Sequence, residues 1–151
     1  MSDSKFQFKG FNIIRSLIER KDIKPSKKLA LSFDPKGIID KRESSFQLHL
    51  SVKIEDENKA INIEIQAIAN FAFAETIETE FLENFFYINA PALLFPYLRA
   101  YISTLTNLSG FETITLPTLN LAQLGDDLKN NTTEINKLIT KQSAKSVSLK
   151  Q

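Results

Sequence analysis

The sequence predicts an α+β protein in which strands come first and helices follow. Three observations predict it. Ser45–Ile54 alternates apolar and polar residues without an error, and Ala60–Ala74 does so again after a short polar turn. Pro91–Leu108 carries apolar residues at helical spacing instead. The change of period from 2 to 3.6 therefore divides a strand half from a helix half. The 151 residues suit one domain with a real core. The expected organisation is a single domain over 1–151, ordered over about 5–142, with 143–151 frayed.

The N-terminal segment Lys5–Glu19 reads as a strand. Phe6 and Phe8 alternate, Phe11 and Ile13 alternate, and the phase slips near Gly10, as a bulge would make it. The helical spacing of Ile14, Leu17 and Ile18 competes, but Phe, Ile and an internal Gly suit a strand better. Leu29–Phe33 is a short alternating strand, ended by Asp34-Pro35-Lys36-Gly37. Phe46, Leu48, Leu50, Val52 and Ile54 then share one strand face. Ile61, Ile63, Ile65, Ala67, Ala69, Phe71 and Phe73 share a face of the next strand, making a long antiparallel hairpin with a broad polar side.

In Pro91–Leu108 the stripe Leu94, Leu98, Tyr101, Leu105, Leu108 should face the core, with Phe95 and Ile102 on a neighbouring apolar face. Pro96 belongs in or near the first turn, and Ser109-Gly110 ends the helix. Phe111–Leu124 contains Pro117 and reads as an ordered loop. A last helix is expected over about Thr132–Gln142, capped by Asn131 with Glu134 closing a capping box.

Composition narrows the chemistry. Charged residues are 25% and hydrophobic residues 42%, ordinary for a globular protein, and the formal net charge is +1. No global field favours nucleic acid, and Lys21, Lys24, Lys27 and Lys28 cluster without interleaved aromatics. There is no cysteine and one histidine, His49, so no cofactor or metal site is expected. Glu75, Glu78, Glu80 and Glu83 bring no base or metal partner and read as a solvated acidic loop, so no catalytic residue is assigned. The N-terminus has no apolar leader core, and no stretch is long and apolar enough for a membrane helix, so a cytoplasmic protein is expected. Twelve Phe, no Trp and 3 Tyr leave two uses for the rings, core or groove surface, and core is the commoner.

The residues Asn89-Ala90-Pro91-Ala92-Leu93-Leu94-Phe95-Pro96-Tyr97-Leu98-Arg99-Ala100-Tyr101-Ile102-Ser103 resemble the signature stretch of the SecB protein-export chaperones, in which Phe-Pro-Tyr-x-Arg opens the long helix. Leu116-Pro117-Thr118-Leu119-Asn120-Leu121 is similar to that family's loop into its second helix. The resemblance runs over roughly Lys5–Ile139. It implies a four-stranded antiparallel sheet with helices on one face and assembly into a homotetramer, a dimer of dimers, with Phe95, Arg99 and Ile102 at the interface. It implies a holdase that binds unfolded polypeptides in a groove lined by Leu29, Leu31, Phe33, Leu116, Leu119 and Leu121; the competing use of these six is as core. It further implies docking on the SecA motor through an acidic sheet face, where Glu19 and Glu64 retain acids. Arg15 stands where the family has Asp, Asn62 where it has Leu, and the tail is basic rather than acidic. SecB-like proteins that guard antitoxins are the second reading of the same fold. A structural oligomer with no client groove is a third reading.

Overall fold

The computed structural model describes residues 5–75, 79–118 and 120–135. Four long strands, β1 (Phe6–Arg20), β2 (Leu29–Asp40), β3 (Ser45–Asp56) and β4 (Ile61–Phe73), form an antiparallel sheet. A short parallel strand, β5 (Thr132–Glu134), completes the order β1-β4-β3-β2-β5. Helix α1 (Thr79–Asn84) runs through a π turn at Phe85–Asn89 into the long helix α2 (Ala90–Leu108), and α3 (Leu121–Asn130) follows a loop.

The alternating residues explain the layering. Phe46, Leu48, Leu50, Val52 and Ile54 are buried, as are Ile63, Ile65, Ala67, Ala69 and Phe71, while the intervening side chains keep contact with water. The helices cover that apolar face, and the other face is polar. The expected bulge exists: β1 slips register against β4 between Phe8 and Phe11, around Gly10, whose φ of 107° favours glycine. A second slip lies between Ile13 and Arg15.

Phe6, Phe46, Phe71 and Phe86 are core, and most of the other rings are half-buried against it. Phe6 stacks on Phe71 and Phe85, Phe46 stacks on Phe86 at 4.4 Å, and Tyr97 of α2 covers Phe8 and Phe11. These pairs gather where β3 begins and β4 ends.

Three expectations need correction. β2 does not stop at Asp34-Pro35-Lys36-Gly37 but runs through it to Asp40, with Pro35 opposite Leu50. Proline is tolerated at a sheet edge, and β5 lies beside β2 only at Gly37–Ile39. The inward line of α2 is Leu94, Leu98, Ile102 and Thr106, all buried, whereas Leu108 is 79% exposed. Both lines start at Leu94 and Leu98, and steps of four residues drift from steps of three as the helix proceeds. Pro96 lies beyond the first turn and is exposed on the helix surface.

The third correction concerns the last helix. Asn120 caps α3 by accepting from the Gln123 N–H at 3.3 Å, and Leu124, Gly125 and Leu128 are its buried residues. Thr132–Glu134 extends the sheet instead of starting a helix, and the side chain of Asn131 donates to the Asp127 carbonyl. Ile135 is helical, and the rest of the expected helix, 136–142, and the tail at 143–151 lie outside the described residues.

Gly125 lets α3 settle on the π turn. A Cβ there would stand 2.5 Å from the Tyr87 carbonyl oxygen, which is backbone and cannot swing aside. Gly125→Ala is expected to lower unfolding free energy by about 1–3 kcal/mol, as overpacking does, read from the urea midpoint.

Candidate polypeptide-binding groove

The helix layer does not cover the whole sheet. By register, Leu29, Leu31, Phe33, Pro35, Gly37 and Ile39 of β2 share the face of Leu50, Val52 and Ile54. Pro35, Gly37 and Ile39 are buried; Leu31 and Phe33 are half-buried, and Leu29 is 41% exposed. At that end lies a cavity of about 440 Å³ between the β1–β2 crossover and the loop that follows α2. Arg20, Pro25, Lys27 and Leu29 line one side, with Phe111 and Ile114 on the other.

Polar bonds hold the crossover wall, and on the facing wall they add to the packing of Ile114 and Leu116 in the core. The crossover carries few apolar side chains, and one of them, Ile23, is 50% exposed. The buried carboxylate of Asp56, at the end of β3, accepts from the Ser26 N–H at 2.8 Å and from the Ile61 N–H at 2.8 Å. Asn58 Nδ2 donates to the Lys24 carbonyl, and the Lys21 N–H to the Ala60 carbonyl. Burial pushes the Asp56 carboxyl up, but the backbone N–H groups facing it outweigh that and hold it below the ordinary aspartate value.

The opposite wall starts from the end of α2. The Gly110 N–H donates to the Asn107 carbonyl and the Phe111 N–H to the Thr106 carbonyl, with Gly110 at φ 79°. That is a Schellman closure, and it sets the direction in which Phe111 leaves the helix. Ile114 is then fastened at both backbone groups: its N–H donates to Thr106 Oγ1 at 3.0 Å, and Ser103 Oγ donates to its carbonyl at 3.1 Å. The Arg20 guanidinium lies 5.6 Å from the centroid of the Phe111 ring and so bridges the two walls.

The six residues assigned to the groove divide. Leu29 lines the cavity, and Leu31 and Phe33 extend its strand face. Phe33 also borders a separate shallow cleft with Arg15, Lys53 and Glu64. Leu121 is half-buried against the core at the start of α3. Leu116 is 0% exposed and belongs to the core, so its place in the groove lining is corrected. Leu119 lies outside the described residues. Arg20, Pro25, Ile61, Phe111 and Ile114 line the cavity without having been expected. The signal for Phe111 was present: a large apolar residue directly after a helix-ending Gly.

At the expected oligomer interface, Arg99 is exposed and Phe95 half-buried. Ile102 is corrected, because it is fully buried within the subunit and has no surface for a partner. On the polar sheet face, Arg15 donates to Glu64 at 2.6 Å, and Asn62 Nδ2 to Glu19 at 3.3 Å. The Arg15 hydrogen bond, opposed by desolvation, holds the Glu64 carboxyl below its usual range. His49 lies 3.2 Å from Gln47 Oε1, and burial, then Lys36, pulls its pKa down. Glu83 pairs with Lys129 at the surface, and Glu75 is exposed. Glu78 and the side chain of Glu80 lie outside the described residues.

The family model for SecB, preprotein translocase subunit SecB, matches residues 10–131. The chain belongs to the SecB family. No curated protein sequence matches it. Among solved structures, the chain is similar to the SecB-like chaperone Rv1957 of Mycobacterium tuberculosis, in complex with a ChAD peptide from the Rv1956 HigA1 antitoxin. The TM-score is 0.65 at 20% identity, covering 77% of this chain and 88% of that one. At that identity the likeness is one of fold. SecB proteins are chaperones rather than enzymes, and this member has the fold of a SecB-like chaperone, with a five-stranded, mostly antiparallel sheet.

Both staples can be checked. Thr106→Val keeps the shape but strands the buried Ile114 N–H; a loss of about 1–3 kcal/mol is expected in urea unfolding. Asp56 stabilises the fold while ionised, because its folded pKa lies below the unfolded one. That contribution is complete above about pH 4 and fades as pH falls through the depressed folded value. Thermal melts on the acid side should therefore show a steeper decline for the natural protein than for Asp56→Asn.

Proposed function

We propose that the chain is a holdase that binds unfolded or extended polypeptides along the open half of β2 and in the cavity beside it. The observation that carries this reading is the uncovered apolar strip of Leu29, Leu31 and Phe33 next to a cavity walled by two polar-stapled loops. Exposed apolar area that opens into a cavity rewards an incoming side chain. Along Leu29–Lys36, where β5 does not reach, the outer flank of β2 also offers backbone groups to an extended client, which needs no particular sequence to use them. Binding rather than catalysis is the activity, with no cofactor, in the cytoplasm. Among the described residues no helix is long and apolar enough to cross a membrane.

The working assembly is a homotetramer, a dimer of dimers, with Phe95 and Arg99 on the outer side of α2 in the contact. The duty is delivery of export clients, supported by the family match, with the SecA motor as a partner at the polar sheet face around Glu19 and Glu64. A second reading, protection of one antitoxin, is favoured by the Arg15–Glu64 pair, which neutralises acidity where a motor-docking surface needs it. The antitoxin peptide held by the structurally similar chaperone supports the same reading.

The test is suppression of aggregation of an unrelated unfolded protein at substoichiometric tetramer; no suppression at any ratio sinks the holdase. Leu29→Asp touches an already exposed side chain, so folding should survive. Client affinity should drop about five- to thirtyfold, the worth of about 1–2 kcal/mol of apolar contact, measured by fluorescence anisotropy.

A further inference from the structure

We infer that Pro35 and β5 set a stop on the free edge of β2, so that a client joins the sheet as a short strand beside Leu29, Leu31 and Phe33 and has to leave it at Pro35. The inference rests on the groove reading above and specifies how much of a client is held, and by which groups. The direction of the backbone groups carries it. β2 runs against β3 from Leu29 to Asp40 with no slip of register. The Glu57 N–H donates to the Lys28 carbonyl, on the β3 side, while the Gly37 N–H donates to the Asn131 carbonyl, on the outer side. Successive residues of a strand turn their backbone groups to opposite flanks. Even-numbered residues of β2 therefore bond to β3, and Leu29, Leu31, Phe33, Pro35, Gly37 and Ile39 turn theirs outward.

Those outward groups have three fates. Gly37 and Ile39 lie against β5, which among the described residues is the segment that pairs with this flank. Pro35 offers a carbonyl but no N–H. Leu29, Leu31 and Phe33 keep both groups, with no strand beside them among the described residues. A free edge is a template for another chain, and proline or a covering segment is a common protection. Here the protection begins at Pro35, and the unprotected residues are those whose side chains share the apolar face of Val52 and Ile54. From Leu29 to Pro35 the edge runs roughly 20 Å at 3.3 Å per residue, room for a strand of about seven residues. A client that continues meets the Asn131 carbonyl, which already holds the Gly37 N–H, and turns away. The segment held is thus short and extended, with free N–H groups at every second residue and a turn allowed directly after it.

Two series of labelled peptides, titrated by fluorescence anisotropy against the whole chain, test this. In the first, a single backbone N-methyl group moves along an extended peptide of alternating apolar and polar residues. Within the bound stretch, binding should weaken about tenfold at every second position and little between, since one set of N–H groups meets β2. In the second, the peptide is lengthened. Affinity should level off at about seven residues, and a continued rise overturns the stop. Pro35→Ala supplies the missing outward N–H, so peptides that reach it should bind about threefold more tightly. The urea midpoint reports whether that variant folds; no gain in a folded variant overturns the part given to Pro35, and if it does not fold the length series on the natural chain decides the stop. Binding that ignores methylation at every position overturns strand addition and leaves the groove standing. Binding of no peptide overturns the groove reading itself and the inference with it.

Discussion

The carboxylate of Asp56 fixes the geometry on which the groove depends. It closes the β3–β4 turn through the Ile61 N–H and reaches across to the Ser26 N–H of the crossover. A buried anion is costly to leave unpaired, and two backbone donors satisfy it. The crossover has little apolar surface of its own to anchor it, so its position follows from this carboxylate and from the neighbouring bonds of Asn58 and Ala60. Thr106 acts similarly on the facing wall, where one hydroxyl serves both its helix and the Ile114 N–H. The cavity thus mixes apolar Leu29, Ile61, Phe111 and Ile114 with charged Arg20, Lys27 and Glu112, inside a frame of hydrogen bonds.

That arrangement resolves a conflict built into any chaperone of this kind. Apolar surface left open to water invites burial, and a flexible loop would simply fold over it. Loops fastened at both backbone groups cannot collapse so easily. The price is a local environment that depends on ionisation, through Asp56, and on one hydroxyl, through Thr106.

The sheet was legible because its alternation is strict: one slip of register would put Phe46 through Ile54 into water. Gly10 showed its bulge for the same reason. β2 was harder, since Pro35 reads as a stop unless the strand is known to lie at an edge. Helix α3 was missed although Asn120, Leu121, Leu124 and Leu128 spell it out, because Pro117 and Gly125 look like loop residues. Gly125 answers instead to the Tyr87 carbonyl, a contact distant in sequence. The groove was legible in outline through Leu29, Leu31 and Phe33. The pairing of Arg20 with Phe111 was not legible, because the two meet only once the end of β1 and the end of α2 are brought together.

The stacked rings of Phe6, Phe46, Phe71 and Phe86 lie at the end of the sheet opposite the cavity, as the register of β3 and β4 requires. Stability is therefore graded along the strands. The aromatic end is held by dispersion and buried area, which no single bond controls. At the groove end the sheet keeps its buried Ile54 and Ile63, but the crossover above it is held mainly by directional bonds. Local opening should begin at the mouth and stop well short of the rings. A molecule so graded can loosen its mouth to admit chains of many shapes while the frame that remembers the resting shape stays closed.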